Sequence, residues 1–397
     1  MQALRDPIHR NIHLEPWAVD LIDARELQRL RRIRQLGTAY LVYPGANHTR
    51  FEHSLGAHKL AQDATRNVGL SPDEARPIQA AALLHDVGHG PMSHTFEEID
   101  PRLGRHEEFG ADLVRWSGLA DRLRAHGIEP RRVAELLSGN GEHACLVSGD
   151  IDVDRMDYLV RDAHYTGLRV SVDPERILQT LTLRDGDALV REEGITAVEA
   201  LLLARFLMYP AVYFHHTCRA AESMVIAGVR RLMADHAKPD DLRLLDDAQL
   251  LAALDAAGDF PRRIAQGIQE RRLYKRAFEG TRAEFDADEH LRRLLESPAA
   301  REAFERELAE DARLAPGDVI VDVPRLPLLH EVGARVLLKS GETLPLRDAS
   351  TLVGTLLKAQ TDHWRFWVFT PKENVEPVRR AFARVRDRAR ATASQKR

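Results

Sequence analysis

Apolar positions recur at helical spacing through most of the chain. Residues 23–36 put Leu27, Leu30, Ile33 and Leu36 on one stripe, while Arg29, Arg31, Arg32 and Arg34 fill the other faces. Asp23, with Glu26 three residues on, has the spacing of a helix start. Another helix follows Pro16, and residues 6–13 ahead of it read as an extended segment and turn. Pro44-Gly45-Ala46-Asn47 signals a turn, after which a helix from near Arg50 carries His53 towards Asn67. Small and apolar residues at 80–84 suit the interior of a helix bundle, and Gly88, Gly90 and Pro91 stop that helix. Helices are also expected over 106–116 and 130–138. Residues 150–162 are dense in carboxylates yet apolar at Ile151, Val153, Met156, Leu159 and Val160. Residues 181–191 suggest a hairpin around Asp185-Gly186-Asp187, and long helices run over 197–233.

The pattern then changes. Residues 238–315 read as charged amphipathic helices, whereas 319–324, 335–343 and 365–369 are rich in strand formers. A last, arginine-rich helix over 376–391 ends in a tail expected to be disordered. The fold expected is mainly α: a helical catalytic lobe over 1–235, a helical extension over 236–315, and a small α+β lobe over 316–397. A chain of 397 residues is long for a single core, which agrees with more than one lobe.

Charge and cysteine content narrow the function class. With 61 acidic and 57 basic residues the net charge is -4, so no overall basic field points to nucleic acid. The arginine-rich last helix is diluted by Asp387 and reads as a solvated face. Cys145 and Cys218 stand too far apart to suggest a disulfide framework, which fits a reducing, cytoplasmic setting. Residues 1–6 carry no apolar signal-like run, and the most apolar stretch, 198–209, is broken by Glu199 and Arg205 and is too short to span a bilayer. No membrane partner is expected. Of 18 histidines, 14 lie between His9 and His216, which places the metal-binding capacity in the first half of the chain.

The centre of that capacity is the adjacent pair His85-Asp86 at the end of the apolar run. Imidazole and carboxylate at the edge of a core can hold a divalent ion, and a mixed set leaves the ion open among Mn, Mg, Fe, Zn and Ni. Candidate ligands come from three segments: His53, the pair His85-Asp86, and one aspartate of the 150–157 cluster. A buried carboxylate is costly unless it is paired or binds metal, which is why the acidic yet apolar cluster stands out. Such an ion acidifies a water and polarises a phosphoryl oxygen.

At these residues the sequence resembles the HD-domain phosphohydrolases, most closely their deoxynucleoside triphosphate triphosphohydrolase branch. The resemblance runs through Asp6-Pro7-Ile8-His9, Gln35-Leu36-Gly37, the block from Pro44 to Gly56, the block from Leu84 to His94, and Ile151-Asp152-Val153-Asp154-Arg155-Met156-Asp157-Tyr158. It is good over about 5–235 and weak beyond. It implies an HD-domain helical bundle and metal ligands at His53, His85, Asp86 and Asp154. It implies acid-base work at His89 and His106, with His94 nearby either catalytic or orienting a neighbour. Arg50 and Arg155 fall on phosphate-contacting positions, although the family usually has Lys at the latter. Tyr158 and Asp162 fall on positions that hold the sugar 3′-hydroxyl, Gln35 and Leu36 on a loop against base and sugar, and Tyr213 on a sugar-pocket aromatic. Guanine-sensing positions of nucleotide-activated relatives fall on Asp23, Gln28 and Arg31, and another regulatory cation falls on Arg176. The implied activity is hydrolysis of a dNTP to deoxynucleoside and inorganic triphosphate, with an activator nucleotide and a homo-oligomer (dimer or tetramer) as partners. The alternative is an HD-family phosphatase or phosphodiesterase acting on monophosphates, cyclic nucleotides or guanosine polyphosphates.

Overall fold

The computed structural model describes residues 2–100, 103–235, 237–326 and 333–395. The protein is mainly helical, with small sheets forming an α+β part. Three helices organise the first half. Arg50–Asn67 begins where Glu52 accepts the Thr49 N–H at 2.6 Å, and Pro72–Leu84 begins where Glu74 accepts the Ser71 N–H at 2.8 Å. Both are capping boxes, each closing two otherwise unpaired helix-end donors. With Val153–Thr166, these helices pack into one core that buries Leu55, Leu60, Leu84, Met156 and Leu159. Each such side chain is worth about 2 kcal/mol on burial.

Two glycines set how closely the site elements approach. A Cβ at Gly56 would lie 1.9 Å from Asp157 Oδ1, so only glycine lets Val153–Thr166 seat against Arg50–Asn67 at that turn. A Cβ at Gly88 would lie 2.0 Å from the carbonyl of His106, so Gly88 admits the helix His106–Trp116 to the end of Pro72–Leu84.

Several expectations meet a different structure. The expected helix over 23–36 is a helix only over Arg25–Leu30, and Asp23 closes the preceding helix Pro16–Ile22 instead of starting the next. The chain after Leu30 is drawn off helically by distant partners. The Arg34 N–H donates to Asp247 at 3.0 Å, Gln35 N–H to the His48 carbonyl at 3.0 Å, and the Arg50 N–H to the Ile33 carbonyl at 2.9 Å. Arg29, on a face away from the apolar stripe, is half-buried and ties down the 87–89 loop by donating to the carbonyls of Val87 (3.1 Å) and His89 (2.6 Å).

Within the stretch expected to be helical, Lys275–Thr281 is a strand. It pairs antiparallel with Arg365–Thr370, which pairs on its other side with Ile320–Asp322. The hairpin expected at 181–191 forms, as Leu181–Arg184 and Asp187–Arg191, and grows into a four-stranded sheet. Its growth comes from far along the chain: Asp187–Arg191 pairs in parallel with Arg335–Leu337, which continues into Thr343–Pro345. The last helix, Val375–Gln395, is longer than expected, and only residues 396–397 of the expected tail lie outside the described residues.

The apolar stretch near 198–209 is also longer than its sequence suggests. From Glu192 to Tyr213 the chain is helical for 22 residues, long and apolar enough by length and composition to cross a membrane. Here it acts as a core helix: Val198, Leu201, Leu202 and Met208 are buried in the helical core, and its π-helical end, Tyr209–Tyr213, borders a cavity. Single π turns recur at functional sites.

Candidate active site

His53 projects from the first turn of Arg50–Asn67, and His85 caps the end of Pro72–Leu84. Each ring has one nitrogen tied down. His53 Nδ1 donates to Asp157 Oδ2 at 2.7 Å, and His85 Nδ1 donates to the Ala82 carbonyl at 2.8 Å. Both Nε2 atoms therefore turn their lone pairs to the same point, 3.0 Å apart. Two carboxylates reach it as well: Asp154 Oδ1 is 3.0 Å from His53 Nε2, and Asp86 Oδ1 is 3.3 Å from His85 Nε2. Four electron-rich groups facing one another repel unless a cation sits among them. Contacts of about 3 Å between donor atoms suit metal–ligand bonds of about 2.0–2.2 Å. The field is consistent with this: burial opposes a charge on His53, but Asp154, Asp157 and Asp86 override it and push the imidazole up to about 10. The donor set fits a divalent ion.

Asp157 is a residue that sequence reasoning set aside as a cap or a salt-bridge partner. Its carboxylate accepts from His53, from His9 Nε2 at 2.6 Å, and from Arg161 Nε at 2.8 Å. Arg161 in turn donates to Asp6 at 2.8 Å, so the N-terminal turn lies directly behind the metal-facing histidine. Burial works against the Asp157 charge, but Arg161, His53 and His9 hold it well below the usual carboxylate range. An ionised acceptor behind His53 fixes which ring nitrogen carries the proton.

Beside this floor stands a second histidine group. The His89 and His106 rings stack with centroids 3.7 Å apart, and the His94 ring meets His89 edge-on at 4.9 Å. His106 Nδ1 donates to Glu97 Oε1 at 2.5 Å. Burial pulls the His106 pKa down, yet Glu97 more than offsets it and leaves it raised. His89 is fully buried and its pKa is driven well down by burial, by Arg50 and by His106. One imidazole is thus ready to give a proton while its neighbour stays neutral, a separation that marks acid-base assignments. His94 is 65% exposed at the cavity rim and reaches Glu97 at 3.6 Å.

Both groups border one cavity of about 500 Å³, which contains Arg50, Asp86, Asp154, Arg155, Tyr158 and Asp162 in its lining. Gln35, Leu36, His89, His94, His106 and Tyr213 line it too. The structure therefore brings together the residues that sequence reasoning gathered for substrate, with specific attachments. Arg50 is buried, donates from NH1 to both Asp86 oxygens (3.1 and 3.0 Å) and from Nε to Ser93 at 2.9 Å. Arg155 is anchored to Asp152 and the Gly149 carbonyl. Asp162 accepts from His48 Nε2 at 2.8 Å and from the Tyr213 hydroxyl at 2.9 Å. Gln35 is buried with its Oε1 lacking a hydrogen-bond partner, a polar atom on the cavity wall that a ligand can satisfy. Arg205 also lines the cavity. Its signal in the sequence was a single cation inside an apolar helix, read there only as an interruption.

Of the expected regulatory positions, Gln28 and Arg31 meet, with Arg31 Nε donating to Gln28 Oε1 at 3.0 Å and its guanidinium over the Phe51 ring. Asp23 lies exposed at the end of Pro16–Ile22. Arg176, in Pro174–Thr180, donates to the Glu193 carbonyl at 3.2 Å, and no contact among the described residues joins it to that pair.

Residues 50–162 match the HD domain, and residues 172–397 match the HD associated region, which alone spans more than half of the chain. The chain belongs to the HD-domain phosphohydrolases. An uncharacterised protein of Methanocaldococcus jannaschii is 32% identical over 385 residues, 96% of this chain and 81% of that protein. The deoxynucleoside triphosphate triphosphohydrolase SAMHD1 of Bos taurus is 30% identical over 273 residues, 57% of this chain and 46% of its own length. This phosphohydrolase thus spans under half of that relative. A solved phosphohydrolase from Bacteroides thetaiotaomicron superposes with a TM-score of 0.76 at 25% identity, covering 94% of this chain and 100% of that one. The HD match begins at Arg50 and ends at Asp162, both on the cavity wall, while the HD associated region supplies Arg205, Tyr209 and Tyr213.

Proposed function

We propose that this HD-domain phosphohydrolase cleaves deoxynucleoside triphosphates to deoxynucleoside and inorganic triphosphate. The observation that carries the reading is the convergence of His53, His85, Asp86 and Asp154 beside a cavity that Asp86 and Asp154 line together with Arg50, Arg155, Arg205 and an acid-base histidine pair. Those four residues would hold the divalent ion, which when bound polarises a phosphoryl oxygen and acidifies a water. Arg155 and Arg205 offer charge to the phosphates, and Arg50 fixes the Asp86 carboxylate beside them. A water releases one proton to solvent as its oxygen adds to the α-phosphorus, the bond from that phosphorus to O5′ breaks, and the His106 imidazolium gives O5′ its proton and regains one from solvent. Glu97 keeps His106 charged until then. Tyr158 and Asp162 would take the sugar 3′-hydroxyl, with Gln35, Leu36 and Tyr213 on the sugar side, a reading supported by the presence of all five in the cavity lining.

The same reading extends to a cytoplasmic homo-oligomer of the three lobes, activated by a nucleotide at Asp23, Gln28, Arg31 and Arg176. The test is an end-point assay of all four dNTPs with Mn, Mg or Fe, each alone and with GTP, resolving products by anion exchange. Released inorganic triphosphate is the expected product. Release of orthophosphate or a nucleoside monophosphate instead would move the protein to the phosphatase or phosphodiesterase alternative.

A further inference from the structure

Behind Glu97 and Glu98 lies a second cavity, of about 410 Å³, between the helices His216–Ala234 and Pro298–Ala312 and the strand Ile320–Asp322. It shares Glu97, Glu98 and Arg325 with the candidate active site, so the two cavities have a common wall. Arg230, Arg231, Arg301, Arg306 and Arg325 line it.

Not all of these arginines are paired with the carboxylates beside them. Arg231 pairs with Asp235 at 3.3 Å. Arg230 donates to the carbonyls of Ile99 (2.9 Å) and Glu98 (3.2 Å). Arg301, Arg306 and Arg325 form no ion pair among the described residues, and Arg301 Nε is buried without a hydrogen-bond partner. The acids on the walls are mostly engaged elsewhere. Glu98 and Asp322 are both held by Arg219, at 2.9 and 2.6 Å, and Glu97 is held by His106. Glu305 accepts from the Val321 N–H at 2.8 Å, and burial pushes its carboxyl up to about 7. Glu302 is the remaining carboxylate on the wall. Three guanidiniums without an ion pair among the described residues, those of Arg301, Arg306 and Arg325, thus share one cavity with a buried, unpartnered Arg301 Nε, and a ligand with several acceptor oxygens can satisfy them together.

We propose that this second cavity binds an oligophosphate, either inorganic triphosphate or the phosphate tail of a nucleotide. Guanidinium forks match phosphate oxygens two at a time, and several at one site select multiply charged anions over single ones. The choice of triphosphate as the probe rests on the function proposed above; the unpaired guanidiniums do not.

The experiment is calorimetric titration of inorganic triphosphate, and in parallel GTP, into the full chain in EDTA at low salt. Binding to the wild type is expected, about tenfold weaker in Arg301→Ala and in Arg306→Ala, the loss of one charge-assisted contact each. Arg306 is exposed, so that variant keeps the fold even if Arg301→Ala does not. Glu305→Gln, which keeps an acceptor for the Val321 N–H, is expected to tighten binding severalfold. Equal affinity for triphosphate and GTP assigns the site to the phosphate chain, and tighter GTP binding assigns it to a nucleotide. Affinities unchanged by all three substitutions, or no binding of either probe, would overturn the proposal. A protein that binds triphosphate here yet leaves every dNTP intact would sink only the proposed reaction.

Discussion

Two histidine groups lie side by side in this protein, and the same imidazole does different work in each. On the floor, His53 and His85 each have Nδ1 held by an acceptor, so their Nε2 lone pairs converge with Asp86 and Asp154. On the wall, His89 and His106 stack; His106 Nδ1 bonds Glu97 at 2.5 Å, whereas His89 Nε2 lies 3.3 Å from Asp86 Oδ1 without a hydrogen bond. The floor gathers lone pairs and calls for a cation. The wall sets a ring made easier to protonate against one made harder to protonate and suits proton transfer. What decides the role is where the other nitrogen of each ring is tied.

Four substitutions test that contrast. The largest effect is expected from Asp154→Ala, which takes a carboxylate from the floor: metal content by elemental analysis should fall, and hydrolysis should drop by about a thousandfold or more. A variant that keeps both metal and activity would break the comparison. His106→Gln acts on the wall alone, with a loss of about a hundredfold in kcat and unchanged metal content. Its partner variant Glu97→Gln should move the alkaline limb of the pH–rate profile to lower pH, because Glu97 raises the His106 pKa. The sign carries over to stability. A histidine easier to protonate folded than unfolded stabilises the fold below its unfolded value and ceases to as pH rises through the folded one. The pH dependence of the melting temperature should therefore flatten across that window in Glu97→Gln. The smallest effect on activity at saturating metal is expected from Asp157→Asn, which leaves all four floor groups in place. Metal affinity by competition with a chelating dye should weaken about 10–100-fold, and excess metal should restore turnover. An unchanged affinity would mean that His53 needs no acceptor behind it.

The floor was legible because its residues sit on elements with local signals. The turn Pro44-Gly45-Ala46-Asn47 precedes the His53 helix, and the run 80–84 ends at His85 where Gly88, Gly90 and Pro91 forbid more helix. What was not legible depends on partners far away in sequence. No residue near Leu30 reveals that the Arg34 N–H will bond to Asp247. Lys275–Thr281 has too many charges to read as a strand until Arg365–Thr370 is beside it. Asp157 lies one helical turn from Asp154 and looks like any surface carboxylate; only the meeting with His9, His53 and Arg161 gives it a role. Arg205 was visible as an anomaly, a charge in an apolar helix, but not as a cavity residue.

The parallel pairing of Asp187–Arg191 with Arg335–Leu337 bears on how the chain is made. A ribosome finishes the first strand roughly 150 residues before the second, a delay of about 7–30 s at ~5–20 residues per second. During that interval the HD match, which ends at Asp162, is already complete, while the hairpin beside it shows a bare sheet edge. Nascent chains on one messenger carry the same edge at the same stage. Slow translation between these two strands is therefore the condition under which this protein is most exposed to pairing with its own copies, before the strand meant for that edge has been synthesised.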